Sequence, residues 1–240
     1  MHGRRGRQLV YDKNPLTRYF LNNRGRLIDK WMHYFDIYDR HFSPYRFKTI
    51  TVVEFGVSHG GSLQMWKKYF GRKARIIGVD IDPRCAELGE DQIEIIIGDQ
   101  SDREFLRELR ERVGPIDILI DDGGHRMEQQ IATFEVLWPA VVDGGVYLIE
   151  DLHTSYWSDF GGGYRRPDTF IEYAKGLIDS QNAWHSRNKD ELAPDDYTKS
   201  IGGMHVYDSV IVMDKRTVQP PRRELKGNAS FEVVENAPEK

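Results

Sequence analysis

The sequence predicts an α/β fold built on a doubly wound parallel sheet, with strand order 3-2-1-4-5, a strand pair added near the C-terminus and helices on both faces. Two observations carry this. Between residues 49 and 151, short apolar runs alternate with helical patterns, and the runs are nearly continuous rather than alternating. Strands buried on both faces read that way, and strands alternating with helices imply right-handed crossovers onto a parallel sheet.

The elements follow in order. Residues 15–42 contain "RLIDKWMHYFDIYDRHF", with Leu27, Trp31, Tyr34 and Tyr38 at spacings of four, three and four, which predicts a helix packed on the sheet or acting as a lid. Then come TITVVEF and the helix LQMWKKYF; RIIGVD and a short acidic segment; IEIIIG and DREFLRELRERV; IDILID and RMEQQIATFEVLW; and GVYLIE. Beyond them lie the loop "FGGGYRRPD", a helix over "TFIEYAKGLIDSQNAW", a polar segment expected to be mobile, and "GMHVYDSVIVMDK" as two short strands. The expected division is a flexible N-terminus at 1–14, a helical segment at 15–46, the α/β domain at 47–217 and a disordered tail at 218–240.

At 240 residues, with 39% hydrophobic content, the chain can bury one substantial core. A net charge of −4 offers no basic footprint for nucleic acid, and the cluster "RRGR" at Arg4 to Arg7 reads as a solvated tail. Cys85 is the only cysteine, which excludes an intrachain disulfide and suits a reducing compartment. No run reaches the ~18 apolar residues of a membrane span, and the N-terminus lacks the apolar core expected of a signal peptide. A cytoplasmic homo-oligomer acting on a small molecule or glycoside, without nucleic acid or membrane partners, is the expectation.

In such sheets ligands bind beyond the carboxyl ends of the strands. The first strand runs into "EFGVSHGGS", where Gly56, Gly60 and Gly61 permit a tight turn and close ligand approach; Glu54, Ser58 and Ser62 flank it, and His59 sits within it. Its spacing misses the dinucleotide fingerprint G-x-G-x-x-G. The second strand ends in Asp80, placed to accept from a ribose diol, and the third in "GDQSD", offering Asp99, Gln100 and Ser101 to an adenine edge. Strands four and five end in "IDDGGH" and "LIED". As neighbours they would bring Asp122, Glu150 and Asp151 together, and like charges so close call for a cation. An all-carboxylate set favours Mg²⁺ or Mn²⁺ over zinc. An N-cap role for Asp121 or Asp122 and a solvated loop for Asp151 is the plainer alternative. His125, three residues past Asp122, suits a general base. His153 fits either support of the site or substrate contact.

These motifs, "VVEFGVSHGGS", "GVDIDP", "GDQSD", "IDDGGH" and "LIEDLHTSYW", resemble the metal-dependent sugar O-methyltransferases of macrolide biosynthesis, whose relatives include sequences named cephalosporin hydroxylase. The resemblance covers residues 15 to 215. It implies a Rossmann-like class I methyltransferase domain that uses S-adenosylmethionine and Mg²⁺ to methylate a sugar hydroxyl. Asp122, Glu150 and Asp151 would be metal ligands, His125 the base, and Glu54, Gly56, Ser62, Asp80, Asp99, Gln100 and Ser101 would surround the cofactor. The long N-terminal domain of some macrolide enzymes has no expected counterpart here. Two other readings stay open at this level: an iron oxygenase ligated by His125, Asp122 and Glu150, and a non-catalytic nucleotide-binding protein. A dehydrogenase is disfavoured by the glycine spacing.

Overall fold

The computed structural model describes residues 13–231. Arg4 to Arg7 and the last nine residues lie outside the described residues, and 216–231 carry no helix or strand. Seven strands form one sheet: β1 (Ile50–Phe55), β2 (Ala74–Asp80), β3 (Ile93–Ile97), β4 (Ile116–Asp121), β5 (Val141–Ile149), β6 (Ile201–Tyr207) and β7 (Val210–Lys215). Their order is β3-β2-β1-β4-β5-β7-β6, parallel through β5, with β7 antiparallel to both neighbours. The expected doubly wound sheet and its terminal strand pair are both present.

Among the described residues, six α-helices cover the sheet. On one face lie α1 (Pro15–Leu21), α2 (Tyr34–Phe42) and α3 (Gly61–Phe70), whose Leu16, Tyr38, Phe42, Trp66 and Phe70 pack on Val52, Ile76, Ile118 and Leu148. On the other lie α4 (Arg103–Val113), α5 (Met127–Leu137) and α6 (Phe170–Asn182), with Leu106, Phe134 and Phe170 against Val53, Ile77, Leu119 and Tyr147. Successive strand residues thus enter opposite cores, which is why the apolar runs are unbroken.

Strand register builds the site. Phe55 stands opposite Asp121, and Asp121 opposite Ile149. The ladder continues one residue further: the Asp122 amide donates to the Phe55 carbonyl at 3.1 Å, and the Glu150 amide to the Asp121 carbonyl at 3.0 Å. Asp122 and Glu150 therefore leave the sheet edge side by side.

The helix expected across 26–42 forms only from Tyr34. Residues 22–33 are an irregular strap; Tyr34 and Tyr38 are buried as predicted, but Leu27 is 64% and Trp31 57% exposed. Local chemistry ends α1 early. Asn22 Nδ2 donates to the Arg18 carbonyl at 2.8 Å and Asn23 Oδ1 accepts from the Gly25 amide at 2.9 Å, so side chains take over backbone partners that a helix would use. The strap then presses onto the first turn of α3, where a Cβ on Gly61 would lie 2.2 Å from the Leu27 carbonyl oxygen.

Candidate active site

A cavity of about 700 Å³ opens at the carboxyl ends of β1, β2, β4 and β5, roofed on one side by Asp29 to Met32 of the strap. Of the residues singled out from sequence, Gly56, Ser58, Asp80, Asp99, Gln100, Asp122, His125, Glu150 and Asp151 line it. Glu54, Gly60, Gly61 and Ser62 are buried and outside the lining, while Ser101 and His59 are exposed and outside it.

The loop after β1 is held by Asp80, whose Oδ2 accepts from the amides of Val57 (2.8 Å) and Ser58 (3.0 Å) and whose Oδ1 accepts from Asp82 (2.9 Å). Three of the roughly four acceptor positions of this carboxylate are thus spent on the chain itself. Gly56 has φ of 88°, and a Cβ there would lie 1.9 Å from the Asp122 carbonyl oxygen. This glycine permits the approach of the two loops, a packing duty beyond the ligand contact expected of it. Gln100 is also committed: its amide nitrogen donates to Asp121 (2.6 Å) and Thr133 (3.0 Å), and its oxygen accepts from Gly124 (3.1 Å). Asp99 Oδ1 accepts from the amide and hydroxyl of Ser101 at 2.8 and 2.7 Å, a local turn.

The adjacent acids Asp121 and Asp122 divide their labour. Asp121 is fully buried and accepts from Gln100 and, at 3.0 Å, from the Tyr147 hydroxyl. Neither acid caps α5, whose N-cap is Arg126. Asp122 meets a residue that no motif singles out. The ammonium of Lys30, its side chain only 3% exposed, donates to Asp122 and, at 2.9 Å, to Glu150, with Glu54 3.9 Å away. Tyr38 donates to the same Glu150 oxygen at 2.7 Å, and Ser62 donates to Glu54 at 2.8 Å. The strand-end charge is therefore partly compensated from within the chain. Lys30 is one of several charged residues in 26–42, and nothing in its spacing sets it apart.

A second grouping stands at the cavity surface. Donor atoms of Asp122, His125 and Asp151 lie within 4.8 Å of one another, with His125 Nε2 3.4 Å from Asp151 Oδ2 and 4.0 Å from Asp122 Oδ1. Tyr34 donates to Asp151 Oδ1 at 2.6 Å, and Thr154 donates to the His125 carbonyl at 2.9 Å. His153 Nδ1 is 2.5 Å from Ser209 Oγ and 3.9 Å from Asp151 Oδ1, beside the cluster rather than in it. Ser58, His125 and Asp151 have φ of 48°, 55° and 55°, so three of the seven described non-glycine residues in the left-handed region line this one cavity. Backbone strain of that kind collects where surroundings fix side chains for a task. Among the described residues, Glu54 Oε1, Glu150 Oε1 and His125 Nδ1 are buried without a hydrogen-bond partner.

Burial dominates the acid–base behaviour. It pushes the Glu54 and Asp122 carboxyls up to about 7 and Glu150 up to about 8, with the Lys30 ammonium working the other way. Burial alone would lower the Lys30 pKa, but Asp122, Glu150 and Glu54 outweigh it and hold it above its ordinary value. Each of these carboxyls binds its proton more tightly in the fold than in the unfolded chain. Their contribution to stability is therefore full below about pH 4 and lost as pH rises through 7 to 8. Urea denaturation of the metal-free protein is expected to show lower stability at about pH 8 than at about pH 5.5, and a Glu150→Gln variant a smaller difference; equal slopes would contradict the burial of charge.

Comparison with known proteins bears on the fold and the class of domain. Residues 53–152 match a methyltransferase-domain family. The chain is 38% identical over 200 residues to 8-demethyl-8-alpha-L-rhamnosyl tetracenomycin-C 2'-O-methyltransferase of Streptomyces olivaceus, covering 78% of this chain and 52% of that protein. It is 38% identical over 210 residues to mycinamicin VI 2''-O-methyltransferase of Micromonospora griseorubida, covering 83% and 51%. The crystal structure of the MycE methyltransferase of mycinamycin biosynthesis, in complex with Mg and SAH, superposes with a TM-score of 0.76 at 35% identity, over 85% of this chain and 54% of that one. The chain spans about half the length of the curated relatives it matches. A methyltransferase domain thus occupies residues 53–152 of this chain, and the chain has the class I methyltransferase fold that MycE shares.

Proposed function

We propose that the chain is the catalytic domain of an S-adenosylmethionine- and Mg²⁺-dependent O-methyltransferase acting on a sugar hydroxyl of a glycosylated natural product. The observation that carries this reading is the convergence of Asp122, His125 and Asp151 in the lining of a cavity that Gly56, Ser58 and Asp80 also line. The relatives named above, and the MycE complex with Mg, SAH and mycinamycin VI, support the substrate class and both cofactors.

The donor set fits a hard divalent ion. Two donors of one such ion, each about 2.0–2.1 Å from it, sit roughly 3 to 4 Å apart; His125 Nε2 stands 3.4 Å from Asp151 and 4.0 Å from Asp122, and all three donor atoms lie within 4.8 Å of one another. Asp122 and Asp151 would hold it, with Glu150, one oxygen unpartnered, beside them. When bound, the ion would acidify the acceptor hydroxyl. Charge balance points the same way: Glu54, Asp122 and Glu150 face the single ammonium of Lys30 and Asp151 stands beside His125, so a divalent cation with a sulfonium supplies the three positive charges still lacking for these four carboxylates.

The chain's own residues then divide the work. His125 Nε2, oriented by the fixed backbone around it, takes the proton of the acceptor hydroxyl as the oxygen–methyl bond forms and the sulfur–methyl bond breaks. Asp151, held by Tyr34, stabilises the imidazolium. The Asp80-braced loop fixes the cofactor, so that methyl and oxygen meet in line.

Asp80→Ala is expected to raise the Kd for S-adenosylmethionine by about 10- to 100-fold, equivalent to roughly 1.5–3 kcal/mol for a charged acceptor that also braces the loop. Calorimetric titration measures it, and unchanged affinity would remove the cofactor assignment.

A further inference from the structure

A second constellation of metal-ligating side chains lies at the far end of α2, away from the cavity. His41 comes from the last turn of α2, His205 from β6 and Asp214 from β7. One donor atom from each lies within 4.8 Å of the others, and all three residues are partly buried. The two imidazoles approach to 4.7 Å between ring centroids. His205 Nε2 is 2.9 Å from Asp214 Oδ2, and His41 Nε2 is 2.9 Å from the Tyr207 hydroxyl.

We propose that His41, His205 and Asp214 form a structural site for a transition-metal ion, Zn²⁺ above all. Two imidazoles and one carboxylate are a donor set that suits a borderline ion and not Mg²⁺, which takes oxygen ligands. Zinc bonds of about 2.0–2.1 Å at the tetrahedral angle set donor atoms about 3.4 Å apart. The 2.9 Å pair and the 4.8 Å outer limit bracket that separation, so rotation of side chains, without movement of the backbone, closes the site. A solvent molecule or Tyr207 completes four ligands.

The ion would tie α2 to the β6–β7 hairpin, and both frame the active site. Tyr38 and Tyr34, one and two turns before His41 on α2, donate to Glu150 and Asp151. Ser209, in the turn between β6 and β7, contacts His153. A cation at this junction would therefore steady the hydroxyls that hold the reactive carboxylates, without touching substrate.

The test uses the whole chain stripped of metal and titrated with Co²⁺, whose visible absorption reports tetrahedral nitrogen and oxygen ligation, followed by displacement with Zn²⁺. The expected result is one saturable band in the unmodified protein and in His125→Asn, which removes the active-site imidazole. In His205→Gln the Zn²⁺ affinity should fall by at least about 100-fold. The His205 side chain is 42% exposed on the edge strand, so this variant keeps the fold where His41→Ala could loosen α2. Zn²⁺ should also raise the Tm of the unmodified protein and leave that of His205→Gln unchanged. A band lost in His125→Asn, equal affinity in His205→Gln, or the absence of any saturable band would each overturn the proposal. None of these readouts depends on methyl transfer, so failure here leaves the proposed reaction standing, and failure of the reaction leaves this site standing.

Discussion

Replacing His125 is expected to lower kcat by about 10²- to 10⁴-fold, the usual contribution of a positioned base, while S-adenosylmethionine and Mg²⁺ affinities hold. The choice of residue matters, because the backbone at this position has φ of 55°, where alanine is strained and asparagine is tolerated. His125→Asn therefore separates loss of the imidazole from loss of loop geometry. The readouts are single-turnover methylation of a deoxysugar glycoside and calorimetric titration of both ligands. Since His125 Nε2 lies 3.4 Å from Asp151 and 4.0 Å from Asp122, a ligand role is the competing outcome. It would show as weakened Mg²⁺ binding and partial rescue of rate by excess ion. Normal turnover in the variant would assign proton removal to another group.

The second large effect concerns Lys30. Lys30→Met keeps the volume of the side chain and removes its charge, leaving Asp122, Glu150 and Glu54 buried without their cation. Breaking a buried pair by deleting one partner costs about 3–5 kcal/mol, because the remaining charge is uncompensated. That loss is expected in full near pH 8, where the carboxyls ionise, and in smaller measure near pH 5.5, where burial keeps them protonated. Mg²⁺ should return part of the stability of the variant, by supplying the missing positive charge to the same oxygens. Denaturation curves at the two pH values, with and without Mg²⁺, test this. Equal stability of Lys30→Met and the unmodified protein under all conditions would show that the ammonium does not neutralise the cluster.

Much of the architecture was legible because its causes are local. Unbroken apolar runs marked strands buried on both faces, and the interleaved helices fixed a parallel order. The strand ends named the site, since Asp122, Glu150 and Asp151 interrupt apolar sequence at matching positions of adjacent strands. Where spacing was the only guide, it failed: Leu27 and Trp31 share a helical period with Tyr34 and Tyr38, yet lie on an irregular strap and face solvent. Periodicity cannot weigh a helical turn against the pull of buried carboxylates on one lysine.

Sequence by itself thus determined the sheet, the end of it where the cavity opens, and the acids and histidine that line it, since period-2 and period-3.6 patterns and strand-end residues are properties of neighbours in the chain. Only the tertiary structure decided which carboxylates act together and what balances them. Asp121 turned inward to Gln100 and Tyr147, while Lys30 crossed 92 residues to reach Asp122 and 120 to reach Glu150. A charge buried at such separations is paired by whatever the fold brings near, because desolvation penalises any carboxylate left alone, and no local spacing records that choice.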